Sequence, residues 1–187
     1  YFPEYKVFIE GQGGKPVFAK CSENLYLDIA EIESKINENT KAVLINSPNN
    51  PSGVIYPKEN LEALATLLKE KQKEYSHPIF LISDEPYREL VFTNEKPEFL
   101  PNIYDNTLVA YSWSKSLSLP GERIGYILVP NKVIDHEDVF AAVGGAARVL
   151  GFATVYPIFG NDSNKIFLLV LYTSIFGCAS TQFFITY

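Results

Sequence analysis

A chain of 187 residues with 47% hydrophobic and 20% charged residues has the composition of a soluble globular domain, and it can bury roughly 70% of its unfolded surface. Its net charge of -6 argues against a nucleic-acid partner, because no Lys/Arg-dense face is evident to neutralise phosphates. Cys21 and Cys178 are the only cysteines and lie in unlike surroundings, which argues against a disulfide framework or a metal site and favours a reducing cytoplasm.

The first part of the chain carries ordinary structural signals. Residues 1–20 predict a short amphipathic start, a glycine-rich turn and a strand over 16–19. Asp28 precedes a helical pattern, and Glu31 stands where a capping-box partner is expected. Residues 41–47 contain the continuous apolar run 42–45, which is typical of a parallel strand buried on both faces.

The first motif, Asn46-Ser-Pro-Asn-Asn-Pro-Ser-Gly53, follows that strand directly. Its residue types predict a turn. Asn50 lies before Pro51, which favours an extended conformation and can aim the Asn50 amide away from the following segment. Leucines at helical spacing then predict a helix over 58–74, and an apolar run predicts a strand over 79–82. Strand, helix and strand in this order indicate a βαβ unit.

The second motif, Ser83-Asp-Glu-Pro-Tyr87, follows the second strand. In open α/β sheets, ligand groups gather just past the carboxyl ends of strands. A carboxylate there, Asp84, is costly unless it is paired, so we expect a cationic partner, with a helix N-cap as the structural alternative. Tyr87 is either a phenol of the site or an aromatic core residue. The charged neighbours are interpreted as solvated: Glu85, Arg88 and Glu89.

The third motif, Tyr111-Ser-Trp-Ser-Lys-Ser-Leu-Ser-Leu-Pro-Gly-Glu-Arg123, overlaps a predicted strand over 107–112. A lysine amine can condense with an aldehyde to form a Schiff base, and hydroxyls with a guanidinium can hold a phosphate dianion. Lys115 is therefore the candidate Schiff-base residue, and a solvated loop is the alternative. Residues 123–129 predict the last strand, and residues 132–150 predict a helix that Gly144-Gly145 interrupts.

Taken together, the motifs resemble the large domain of the class I and II pyridoxal-phosphate-dependent aminotransferases, the fold-type-I group. The order is Asn-Pro-x-Gly, Asp-x-x-Tyr, Ser-x-Ser-Lys and an Arg eight residues after the Lys, each after a predicted strand. The resemblance covers about residues 1–152. It implies an α/β fold, in which a mostly parallel sheet is flanked by helices, here as an incomplete large domain.

The resemblance also implies a set of site residues and no metal. Lys115 would form the Schiff base with pyridoxal 5'-phosphate and move the substrate Cα proton, while Asp84 would pair with the protonated ring nitrogen. Asn50 and Tyr87 would hydrogen-bond the ring oxygen. The cofactor phosphate would be held by a third set: Ser112, Ser114 and Arg123. Catalytic roles thus fall on Lys115, Asp84 and Tyr87.

The activity implied is transfer of an amino group between an amino acid and a 2-keto acid, by a cytoplasmic homodimer. A lyase or decarboxylase on the same scaffold would keep Lys115, Asp84 and Tyr87 and differ in its substrate contacts. A truncated, inactive piece of such an enzyme is a third interpretation. Family features have no counterpart here: the glycine-containing phosphate loop, the aromatic residue stacked on the ring and the small-domain arginine that binds the substrate carboxylate.

The end of the chain has a different character. We predict a partial cofactor-binding core over 1–152 and an apolar tail over 153–187 that is unlike the family, as in a misread or unnatural chain end. Residues 166–187 carry no charge and are long enough to span a bilayer, but polar residues dilute the run and no basic cluster fixes an orientation, so we expect no membrane span. The first residues show no signal-peptide pattern and no methionine, so we expect a start inside a gene product.

Overall fold

The computed structural model describes residues 1–149 in full and the backbone of residues 154–159 and 164–170. Within these residues the strands form one sheet in the order β1-β2-β3-β4-β6-β5. Their bounds are Ala42–Asn46 (β1), Phe80–Asp84 (β2), Thr107–Ser112 (β3), Ile124–Pro130 (β4), Thr154–Phe159 (β5) and Asn164–Val170 (β6). The helices are Glu4–Gly11 (α1), Ile29–Lys35 (α2), Lys58–Tyr75 (α3), Trp113–Ser116 (α4) and His136–Val149 (α5).

The sheet is mixed. β1, β2 and β3 pair in parallel, whereas β4, β6 and β5 pair antiparallel to their neighbours. The predicted α/β class, with helices flanking the sheet, is confirmed. The predicted strand over 107–112 and the helix start at residue 58 match the structure residue for residue.

The two faces of the sheet have separate cores. On one face, α3 buries Leu64 and Leu68 in the same cluster as Leu81 of β2. On the other, α5 buries Val143 and Ala147 in a cluster with strand residues of β3 and β4, and Phe80 packs against that cluster. Phe80 and Leu81 are adjacent in one strand, so their side chains point to opposite faces. Strand β2 is thus covered on both sides, as its apolar run predicts. Strand β1 lies at the edge of the sheet with Ala42 exposed and Val43 and Leu44 half-buried, so its predicted burial on both faces is wrong.

Helix α2 begins at the predicted cap. The Asp28 carboxylate accepts a hydrogen bond of 3.0 Å from the Glu31 backbone N–H, which would otherwise lack a partner in the first turn. This cap fixes where α2 begins, and α2 ends seven residues before the start of β1.

Two local predictions are wrong. The predicted strand over 16–19 does not form: Val17 and Phe18 are 55% and 44% exposed, so this segment has no buried face to hold it as a strand. The predicted interruption at Gly144-Gly145 is also absent, because α5 continues through both glycines. Gly144 is among the buried residues of α5, where the lack of a side chain allows close packing.

Most of the predicted tail lies outside the described residues, including Cys178 and all of residues 171–187. The described part consists of β5 and β6, and β6 pairs with β4 along its whole length. The boundary at residue 152 stays a prediction. Searched over the described residues, the structure holds no helix with the length and apolarity to cross a membrane.

Gly125 sets the spacing of β3 and β4. A Cβ at this position would lie 2.5 Å from the Tyr111 carbonyl oxygen, a backbone atom that cannot swing away. We expect Gly125→Ala to lower the free energy of unfolding by roughly 1–3 kcal/mol, as overpacking does, in urea denaturation. The matched control is Gly145→Ala in α5, where an added Cβ meets nothing within 4 Å. Helix propensity should make that variant up to about 1 kcal/mol more stable, so equal losses in both variants would contradict this assignment.

Candidate functional site

The carboxyl ends of the three parallel strands meet at one edge of the sheet. Asn46 is in register with Asp84, and Asp84 with Ala110. The segment after each strand carries one of the predicted motifs: the turn with Asn50, the turn with Tyr87 and helix α4 with Lys115. The geometry expected of an open α/β sheet is therefore present.

An amide, a phenol and an amine lie together above this edge. The Asn50 Nδ2 donates a hydrogen bond of 3.0 Å to the Tyr87 hydroxyl oxygen. The Lys115 Nζ lies 5.8 Å from the centroid of the Tyr87 ring, within the range of a cation–π contact. Asn50 and Lys115 are exposed and Tyr87 is half-buried. Residues separated by up to 65 positions thus lie close together at this edge of the sheet.

Asp84 is the last residue of β2, and its carboxylate is half-buried. Its Oδ2 accepts a hydrogen bond of 2.5 Å from the Tyr5 hydroxyl. Burial raises the pKa of Asp84 from 3.8 to about 6; the Tyr5 hydrogen bond opposes that shift, and the charge of Glu85 adds to it. The N-cap alternative is wrong, because the residues after Asp84 form a turn and not a helix.

Asn46 ties two of the motifs together. Its Nδ2 donates to the backbone carbonyl of Asp84 at 2.8 Å, and its Oδ1 accepts from the backbone N–H of Asn50 at 2.9 Å. One side chain therefore sets the position of the Asn50 turn relative to the end of β2. Sequence reasoning treated Asn46 only as the first letter of a turn motif, and its place at a strand end was the available signal.

The interpretation of Glu85 as solvated is wrong. Glu85 is 1% exposed, and its carboxylate accepts hydrogen bonds from the Ser83 hydroxyl at 2.7 Å and from the Arg88 guanidinium at 2.5 Å. Arg88 also donates to the carbonyls of Pro97 and Glu98, each at 3.2 Å. Burial raises the pKa of Glu85, and its contacts with Ser83 and Arg88 oppose that rise. The pair anchors the turn that carries Tyr87.

The predicted phosphate-binding residues lie at one end of the β3–β4 pair. Ser112 ends β3 opposite Gly125, Ser114 is in α4, and Arg123 immediately precedes β4. Arg123 has φ +53°, in the left-handed region that non-glycine residues rarely adopt, and its guanidinium donates to the Pro120 carbonyl at 2.8 Å. Strained backbone of this kind is often found at ligand sites, which makes Arg123 a candidate on structural grounds too. Among the described residues, the structure has no cluster of side chains suited to a metal ion.

The raised pKa of Asp84 predicts a pH-dependent stability. Since the folded-state pKa of about 6 exceeds the ordinary 3.8, the folded protein prefers the protonated carboxyl. The contribution of the protonated Asp84 carboxyl to the free energy of unfolding is therefore full below pH ~4 and is lost as the pH rises to ~6. Asp84→Asn removes it, so the stability of the variant relative to wild type should increase by up to about 3 kcal/mol between pH 4 and 7 in urea denaturation.

The matched control is Asp105→Asn, because the Asp105 side chain is 67% exposed and forms a surface ion pair of 3.7 Å with Lys132. Surface pairs contribute little, so this variant should show a much smaller pH trend. A stability difference for Asp84→Asn that does not change with pH would contradict the assignment.

Comparison with known proteins places this geometry in a family. The profile of the family described as "Aminotransferase class I and II" matches residues 1–148. A solved amino transferase from Eubacterium rectale is 53% identical, with a TM-score of 0.79, covering 81% of this chain and 38% of that one. The aspartate aminotransferase of Thermus thermophilus with maleate is 32% identical, with a TM-score of 0.65, covering 78% and 37%.

A curated relative gives the same result. The aspartate aminotransferase of Thermotoga maritima is 37% identical over 135 residues, which is 71% of this chain and 34% of that protein. The chain spans about a third of the length of the curated relatives it matches.

Proposed function

Since the chain belongs to the class I and II aminotransferases, we propose that the whole protein is a pyridoxal-phosphate-dependent enzyme that transfers an amino group between an amino acid and a 2-keto acid. The observation that supports this proposal is the meeting of Asn50, Tyr87 and Lys115 at the sheet edge where β2 ends with Asp84. The relatives named above are aminotransferases, which favours transamination over the lyase or decarboxylase alternative.

The donor set of the site fits pyridoxal 5'-phosphate. When bound, this cofactor supplies an aldehyde that reacts with amines and a pyridine ring that accepts electron density. Lys115 provides an exposed amine for the aldehyde. Asp84 is half-buried with a raised pKa, so a protonated ring nitrogen beside it would be stabilised and would bring that pKa down. Asn50 and Tyr87 would donate hydrogen bonds to the ring oxygen.

The phosphate would be held at the end of the β3–β4 pair. Ser112 and Ser114 offer hydroxyl donors on either side of the β3–α4 junction, and Arg123 offers a guanidinium that suits a dianion. Helix α4 has only four residues, so the side chains contribute more here than the helix end does. This assignment explains why an arginine occupies a left-handed position where glycine would be less strained.

Proton movement falls to Lys115. As general base, its Nζ would take the proton from the substrate Cα, and as general acid it would deliver that proton to the cofactor carbon that carried the aldehyde. Asp84 would be mostly ionised at pH 7, because its pKa of about 6 lies below that value. The hydrogen bond from Asn50 would hold the Tyr87 phenol in place while the Lys115 amine moves.

The remaining parts of the proposal rest on family membership and composition. The substrates are a small-molecule amino acid and a 2-keto acid, and the active full-length protein is a homodimer. A cytoplasmic location is supported by the small number of cysteines, of which Cys21 is free and exposed. The net charge of -6 gives no support to a nucleic-acid partner.

Covalent trapping tests the role of Lys115. Addition of pyridoxal 5'-phosphate followed by borohydride reduction should label Lys115, located by peptide mass mapping. Lys115→Ala should abolish the label, whereas Lys132→Ala, which removes an exposed lysine paired with Asp105, should leave it unchanged. Scattered labelling over several lysines, unchanged in Lys115→Ala, would reject the proposed function.

Truncating one phenol tests the ring-oxygen assignment. Tyr87→Phe removes one hydrogen-bond donor, so the dissociation constant for pyridoxal 5'-phosphate should rise roughly 3- to 10-fold in an absorbance titration. Tyr75→Phe, at the far end of α3, is the control and should bind as wild type does. Unchanged affinity in Tyr87→Phe would remove Tyr87 from the site.

A further inference from the structure

Helix α1 sends one side chain into the site from a distant part of the chain. Tyr5 is the buried residue of α1, at 5% exposure, and its ring meets Phe2 edge-on at 5.7 Å between centroids. Its hydroxyl donates to the Asp84 Oδ2, which lies 79 positions further along the sequence.

The contact is a charge-assisted hydrogen bond. A phenol that donates to a carboxylate in a half-buried setting stabilises the ionised form more than a neutral hydrogen bond would. The backbone of Asp84 is held separately, because its carbonyl accepts from the Asn46 side chain at 2.8 Å. Helix α1 therefore contacts the side chain of Asp84, and β1 contacts its backbone carbonyl.

Burial and the nearby charge of Glu85 favour the protonated form of Asp84, and the Tyr5 hydrogen bond opposes both. Without the Tyr5 hydroxyl, nothing from Tyr5 lowers the pKa of Asp84, and that pKa moves closer to neutral pH. A neutral Asp84 would be a poor partner for a cation. The Tyr5 hydroxyl is thus placed where it affects both the orientation and the charge of this carboxylate.

We propose that Tyr5 is a positioning residue for Asp84, whose hydroxyl holds Oδ2 so that the carboxylate keeps one orientation and its negative charge at the strand end. The inference rests on the proposed function, in which Asp84 pairs with the protonated ring nitrogen of the cofactor. Tyr5 itself acts through Asp84. Loss of the Tyr5 hydroxyl should therefore weaken the binding of a ligand that carries the ring nitrogen more than the binding of one that lacks it.

The titration of Asp84 in the full chain without cofactor tests this inference directly. Carbon-13 NMR follows the Asp84 carboxyl carbon, assigned by its loss in Asp84→Asn. In Tyr5→Phe the pKa of Asp84 should rise from about 6 to roughly 7, because one charge-assisted hydrogen bond is removed while the ring and its packing remain. Tyr104→Phe is the matched control, since it removes a buried hydroxyl that donates to the Ile79 carbonyl at 2.6 Å.

A pair of ligands separates positioning from general loosening. At pH 7, Tyr5→Phe should weaken the binding of pyridoxal 5'-phosphate roughly tenfold. It should leave unchanged the binding of the 1-deaza analogue, in which carbon replaces the ring nitrogen. Equal weakening for both ligands would indicate a structural role and overturn the inference.

The failures of the two proposals are distinguishable. An unchanged Asp84 titration in Tyr5→Phe, with Lys115 still labelled in wild type, overturns the role of Tyr5 alone. If wild type shows no selective labelling of Lys115, the proposed function fails and this inference fails with it. If Tyr5→Phe does not fold, Tyr5 can be replaced by 3-fluorotyrosine, whose hydroxyl is more acidic, in the otherwise wild-type sequence. The pKa of Asp84 should then fall, and an unchanged pKa also overturns the inference.

Discussion

The parallel register of β1, β2 and β3 is the constraint on which the rest of the site depends. It places the ends of the three strands in one row, with Asn46 opposite Asp84 and Asp84 opposite Ala110. Parallel neighbours need a crossover, and α3 supplies it while burying its leucines against one face of the sheet. A shift of one residue in β2 would turn Asp84 to the other face and Glu85 toward the position that Asp84 now holds.

Two adjacent carboxylates at the end of β2 therefore have different surroundings and different hydrogen-bond partners. Glu85 is buried, where Arg88 neutralises its charge and Ser83 donates a hydrogen bond to it, and this pairing fixes the following turn. The Asp84 carboxylate, at the end of β2, accepts a hydrogen bond from the Tyr5 phenol instead. Burial raises the pKa of both groups, so each needs a partner to remain ionised. The structural pair thus supports the residue proposed to act on the cofactor.

The β3–β4 pair shapes the other half of the site. Gly125 lets β4 approach the Tyr111 carbonyl, and this close approach brings Arg123 to the end of β3 where Ser112 and α4 begin the Lys115 segment. Strands β5 and β6 extend the sheet with residues that follow the family match, which ends at residue 148. The candidate site residues Asn50, Asp84, Tyr87 and Lys115 all lie within that match.

Local chemistry in the sequence determined the motifs, the strands that precede them and the candidate residues Asn50, Asp84, Tyr87 and Lys115, because apolar runs and turn residues act over a few positions. The resemblance of these motifs to a family added the fold class and the roles. Only the tertiary structure decided the partners: Tyr5 lies 79 positions from Asp84 and Asn46 lies 38. The burial of Glu85 was equally hidden, since a charged residue in a polar motif gives no local sign of which face of the sheet it will occupy. Such contacts depend on strand register and helix placement. Long-range packing sets both of these, and the local pattern of residues in the sequence does not.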